Sequence, residues 1–124
     1  MNRSLILVGI GGMFGSLSRF LTAFFLTKWF PSPFPFGTFA VNLAGCLLIG
    51  IVYGLSLRTD WLTPDWRVFL ATGFCGGFTT MSSFSLENVI LLQDKDHTTF
   101  AAYFFLSLLI CPAMTFLGLF VTRI

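Results

Sequence analysis

The chain has 124 residues, 56% of them hydrophobic and only 10% charged, and phenylalanine alone occurs 17 times. So little charge cannot cover an aqueous surface, and that many aromatic rings cannot fit one small core, so lipid must solvate much of this protein. The length holds about four crossings of roughly 20 apolar residues. This excludes a separate catalytic or nucleic-acid-binding domain, and a net charge of +2 marks no polyanionic partner such as a nucleic acid.

The first apolar stretch runs from about Ser4 to Thr27 and is interrupted only by Arg19. Its start resembles a secretory signal, but no small-residue cleavage site leads into a polar chain, so it is expected to be the first span. Gly11 and Gly15 stand four apart, as do Gly50 and Gly54 in the next segment. That spacing lets helix backbones approach closely in lipid, where packing replaces the hydrophobic effect. Between the two, Phe30-Pro31-Ser32-Pro33-Phe34-Pro35-Phe36 must be a stiff loop, because each proline lacks an N–H and restricts its predecessor.

The second span is expected from about Gly37 to Leu57, followed by a polar turn at Arg58-Thr59-Asp60. Within it Asn42 and, one turn earlier on the same face, Thr38 are polar. An amide in hydrocarbon is costly unless paired, so Asn42 either ties helices together or faces water. Thr63-Pro64-Asp65 then has the form of an N-cap, a first helical residue and an acidic first turn.

The third segment, about Trp66 to Leu92, is anomalous in its middle. Residues 73–83, Gly-Phe-Cys-Gly-Gly-Phe-Thr-Thr-Met-Ser-Ser, are mostly poor helix formers, and this predicts a broken helix. Irregular backbone survives at membrane depth only when buried in protein or lining a polar cavity. Phe84 follows Met81 by three residues and so can share its face; an aromatic edge carries partial positive charge and can meet an anion. Glu87, one turn later, is the only acid expected inside a span, which marks it as a functional candidate.

Asp94-Lys95-Asp96-His97 reads as a short charged loop, and a fourth span is expected from about Thr98 to Thr122, bent at Pro112. Tyr103, Ser107 and Cys111 recur at four-residue intervals along one face of it. Cys46, Cys75 and Cys111 each fall in apolar segments at no metal-site spacing and are expected to be small buried thiols. The basic residues are nearly balanced between the two membrane faces. Arg3, Arg58, Arg67 and Arg123 stand against Lys28, Lys95 and Arg19. Either one extra charge decides the orientation, or copies insert both ways and pair antiparallel.

Three stretches together resemble the Fluc/CrcB family of microbial fluoride channels: Gly11-Gly12-Met13-Phe14-Gly15-Ser16-Leu17-Ser18-Arg19, Gly37-Thr38-Phe39-Ala40-Val41-Asn42, and residues 73–87 with their Gly-Gly-x-Thr-Thr-x-Ser-x-Phe-Ser-x-Glu run. The resemblance covers the whole chain as one transmembrane domain, residues 1–124. It implies an all-α membrane protein of four transmembrane helices with the third broken, assembled as an antiparallel homodimer in the plasma membrane, the bacterial inner membrane. Fluoride would leave the cytoplasm passively through two pores, each built from both subunits. The family's pore residues fall on Asn42, Met81, Phe84, Tyr103, Ser107 and Cys111, with Thr38 and Ser82 beside them. Its structural Na+ at the dimer interface would be held by carbonyls of Gly76 and Thr79. Arg19 and Glu87 match positions near the pore entrances. Met81 departs from the family's phenylalanine and Cys111 from a serine hydroxyl, a better donor. The rivals are a proton-coupled four-span multidrug exporter and a non-transporting membrane assembly protein. The first needs an acid in span one, which has none; the second leaves the broken span and polar stripe unexplained.

Overall fold

A computed structural model describes residues 2–58 and 62–123. Its elements are helical: α1 (Asn2–Trp29), α2 (Phe36–Arg58), α3 (residues 64–78), α4 (Met81–Gln93) and α5 (His97–Val121). Among the described residues there is no strand. Helices α1, α2 and α5 have 28, 23 and 25 residues and are long and apolar enough to cross a membrane. At 1.5 Å per residue the 13 residues of α4 reach only about 20 Å. Neither α4 nor α3 could span a bilayer alone. The two apolar spans at the start of the chain outrun their expected limits by one or two residues at either end. Thr59 and Asp60, expected to form a polar turn, lie outside the described residues.

The local signals in the sequence terminate these helices as their chemistry requires. Residues 30–35 form the non-helical link, and Phe36 opens α2. Thr63 caps α3, its hydroxyl accepting from the Trp66 N–H at 3.4 Å, with Pro64 as first helical residue. Asp96 caps α5 by accepting from the Thr99 N–H at 3.2 Å. Lys95 turns the chain between α4 and α5 in the left-handed region, φ 59°. Helix α5 runs through Pro112 without interruption.

The broken segment departs from expectation in detail. Irregular backbone was expected across residues 73–83, yet the chain stays helical as far as Phe78 and is extended only at Thr79 and Thr80. Within α3, Val68–Cys75 is a π-helix, a wider turn that the sequence did not signal. The glycines of this stretch are helical because lipid offers the backbone no other hydrogen-bond partner. They provide close approach instead. Gly73 packs on Gly11, and Gly77 on Gly12; a Cβ on Gly11 or Gly15 would strike the carbonyls of Phe69 or Phe74. Helix α1 therefore lies along α3 with backbone against backbone.

Helices α2 and α5 make the second tight pair. Gly50 faces the carbonyl of Thr115, Gly54 the side chain of Thr122, and Gly118 the backbone of Leu47 and Ile51. The spacings Gly11/Gly15 and Gly50/Gly54 thus act as the sequence indicated, as contact seams. Where α4 and the 30–35 link meet α2 and α5 sits a small core of Phe84, Leu91 and Tyr103, with Phe34, Phe39, Phe100 and Phe104 packed around it.

Candidate functional site

Asn42 and the helix break build each other. The Asn42 Oδ1 accepts from the Thr80 N–H at 2.9 Å, and its Nδ2 donates to the Thr80 carbonyl at 3.3 Å. One side chain on α2 thus satisfies both backbone groups that the extended residue would leave unpaired in lipid. Because the Thr80 N–H can only donate, the amide oxygen must face it, and the amide nitrogen points the other way. Thr80 also caps α4, its hydroxyl accepting from the Ser83 N–H at 3.2 Å. Thr80 was not among the residues that the sequence marked for the site. Its signal was a threonine just before a helical run, an N-cap pattern.

An open cleft of about 520 Å³ lies beside the break. It gathers Asn42 from α2, Gly76 and Thr79 from the end of α3, Met81 and Phe84 from α4, and Ser107 and Cys111 from α5. Seven of the candidate residues, drawn from four helices, therefore meet on one surface. Met81 stands at its rim, 72% exposed, whereas the Phe84 ring is 7% exposed. That ring stacks on Phe104 at 6.0 Å and meets Tyr103 at 5.1 Å. Ser82 lies exposed at the start of α4, its hydroxyl 3.2 Å from that of Thr80.

Tyr103 does not line this cleft. It is fully buried, and its hydroxyl donates to Glu87 Oε1 at 3.0 Å. Thr38 donates to Glu87 Oε2, also at 3.0 Å. The acid of α4 is thus held by one donor from α2 and one from α5. Glu87 also lines a second cavity of about 740 Å³, whose wall includes Ser32, Phe34, Asp94, Lys95 and Asp96. Phe84 and Ser107 line the first space and Glu87 the second, while buried Tyr103 touches both Phe84 and Glu87. Tyr103 and Ser107 share a face of α5, so the polar stripe runs from one cavity toward the other.

Arg19 is tied to the break and does not stand free at an entrance; its Nε donates to the Gly77 carbonyl at 3.2 Å. That carbonyl belongs to the last turn of α3, where carbonyls lack intrahelical partners and attract cations. Gly76 and Thr79 flank the same turn. Their oxygens are hard donors of the kind that suit a hard cation, so the residues present fit a sodium ion in ligand type. Among the described residues no group of three His, Cys, Asp or Glu side chains is arranged to hold a metal. The three cysteines are free thiols.

A broken helix propped by a half-buried amide, next to an open cleft that carries a few polar groups among long apolar helices, defines a polytopic integral membrane protein with a candidate site between its helices. Residues 6–119 match the family described as CrcB-like protein, Camphor Resistance (CrcB), and the chain belongs to that family. It is 44% identical over 123 residues to a fluoride-specific ion channel FluC of Azobacteroides pseudotrichonymphae genomovar. CFP2, covering 99% of this chain and 98% of the relative. A second FluC, from Chlorobium phaeobacteroides (strain BS1), is 53% identical over 93 residues, 75% of this chain and 72% of the relative. A third, from Flavobacterium psychrophilum (strain ATCC 49511 / DSM 21280 / CIP 103535 / JIP02/86), is 37% identical over 121 residues, 98% of each.

Proposed function

We propose that this protein is a fluoride-selective ion channel that lets fluoride leave the cytoplasm passively across the plasma membrane. The observation that carries this is the convergence of Asn42, Phe84, Ser107 and Cys111 on one cleft whose donors are uncharged. Fluoride is small and holds its water tightly, so a pathway must replace that shell with donors close at hand. Asn42 has two amide hydrogens and spends one on Thr80, leaving the other for an ion in the cleft. The Phe84 edge and the Ser107 hydroxyl add weak positive potential further along. Several weak sites favour passage, because one deep site would hold the ion.

In this proposal α3 and α4 together form a fourth span, and the functional unit is an antiparallel homodimer. A second copy would wall the open cleft from lipid, giving two pores per dimer. Carbonyls at Gly76 and Thr79 would hold a structural Na+ between the copies, which would satisfy the helix end and add positive potential. The membrane-facing surface, with Phe20, Phe24, Leu109 and Phe116 exposed, suits lipid contact.

Efflux from proteoliposomes loaded with potassium fluoride, followed with a fluoride electrode and with chloride as control, tests the reading. The protein should release fluoride far faster than chloride. Asn42→Asp, which puts a negative charge in the cleft, and Phe84→Ile, which removes the ring edge, should each bring release near that of protein-free vesicles. Release by the unaltered protein no faster than from empty vesicles overturns the function. Undiminished release by either variant removes that residue from the pathway.

A further inference from the structure

The three thiols are scattered in sequence, but the fold brings them to one wall of the cleft: Cys46 from α2, Cys75 from α3 and Cys111 from α5. Cys75 is buried, whereas Cys46 and Cys111 are partly exposed. Helices α2 and α5 approach closely beside this pair. The Thr115 hydroxyl lies 3.1 Å from the Cys46 carbonyl and 3.3 Å from the Cys111 carbonyl, so it clasps both backbones. The glycine contacts at Gly50 and Gly118 allow no side chain between the helices there. Both side chains line the cleft on this side, each from one of the two clasped helices.

We propose that Cys46 and Cys111 form a two-coordinate site for a soft, thiophilic cation of the copper(I)–silver(I) class, and that its occupancy closes the cleft to anions. Thiolate sulfur selects soft metals, and two thiolates lining one cleft can offer such a metal linear coordination. Zinc, which takes four ligands in structural sites, is not served, because among the described residues no third His, Cys, Asp or Glu completes a set. The neighbouring lining residues Ile49, Leu108 and Pro112 are apolar and supply no hard side-chain ligand. Binding replaces the two thiol protons: one monovalent cation and two thiols give a bis-thiolate of net charge −1 and two protons released to the buffer. That negative charge sits on the cleft wall and repels an anion entering beside it.

The metal site stands on its own, and only the closure rests on the fluoride reading. Silver(I) nitrate in chloride-free buffer is the probe, and native mass spectrometry of the purified protein counts bound metal. One silver per chain is expected in the unaltered protein and in Cys75→Ala. Binding should weaken by at least about tenfold in Cys46→Ala and in Cys111→Ala. Silver retained by either variant at unchanged affinity overturns the site. Should those variants fail to fold, bound silver must shield both Cys46 and Cys111 of the unaltered protein from maleimide, read by peptide mass; labelling of either with metal bound overturns it equally. In fluoride-loaded vesicles silver should reduce efflux to the protein-free rate, and excess dithiothreitol should restore it. Undiminished efflux with silver bound overturns the closure. An absence of efflux before silver is added would instead sink the channel reading, while the silver count still decides the site.

Discussion

Glu87 carries one hydrogen bond on each carboxylate oxygen, from Thr38 and from Tyr103. A carboxyl group in a span is costly unless its lone pairs are met, so these two hydroxyls fasten α2 and α5 to α4. Tyr103→Phe keeps the ring that packs on Phe34 at 5.4 Å and on Phe84 at 5.1 Å, and removes only the donor. The variant should lose about 1–3 kcal/mol of stability and melt at a lower temperature in detergent, measured by a thermal-shift assay. Unchanged melting would mean that Glu87 finds water or another donor. Thr38, Glu87 and Tyr103 were each legible in the sequence as polar residues inside apolar segments. Their meeting was not, because the partners lie 49 and 16 residues from Glu87, and no local pattern fixes such a distance. Asn42 illustrates the same limit. Its chemistry left gluing and facing water equally open, and the fold ties both ends of the amide to Thr80.

The helical seams depend on glycine where one backbone lies directly on another. A Cβ at Gly15 would fall on the Phe74 carbonyl and press the Phe78 N–H, and neither is a flexible side-chain end that could swing away. Gly15→Ala must therefore push α1 off α3, at about 1–3 kcal/mol or more. Gly9→Ala meets nothing within 4 Å and should be neutral or gain up to about 1 kcal/mol from helix propensity. A lower melting temperature for Gly15→Ala with no loss for Gly9→Ala is the expected pair of results. Equal loss in both would mean that propensity or a partner surface, not this seam, sets the cost. Element limits and seams were readable because prolines, caps and glycine spacing are local signals. The length of the break was overestimated for a physical reason. Propensities measured in water count Gly73, Gly76 and Gly77 as weak helix formers, whereas lipid keeps them helical and packing uses the missing side chains of Gly73 and Gly77. The π-helical turn at Val68–Cys75 left no mark in composition at all.

One chain leaves most of its apolar surface uncovered: only 11% of the spanning windows of α1 and α5 is buried, and 28% of that of α2. Lipid can cover such faces, but the few polar groups in the open cleft, Asn42 and Ser107 among them, are poorly met by lipid, which is the physical argument for the proposed second copy. The orientation of that copy depends on charge. Arg3 is paired with Asp65 at 2.8 Å, yet acids contribute little to insertion, so it still counts. Arg19 is drawn inside by Gly77 and should not count. Arg58, Arg67 and Arg123 then join Arg3 against Lys28 and Lys95, a margin small enough for a few substitutions to reverse or fix. Ser32→Arg with His97→Arg adds charge at two exposed positions on one face. Asn2→Arg with Ser4→Arg adds it at two exposed positions on the other. If active dimers need opposed copies, each biased double variant alone should insert one way and give fluoride efflux near background, although it is made in normal amount. Produced together, the two should restore efflux. Full efflux from either biased variant by itself, with its orientation confirmed by one-sided labelling of an added terminal cysteine, would rule out the antiparallel arrangement and leave pairing in a single orientation.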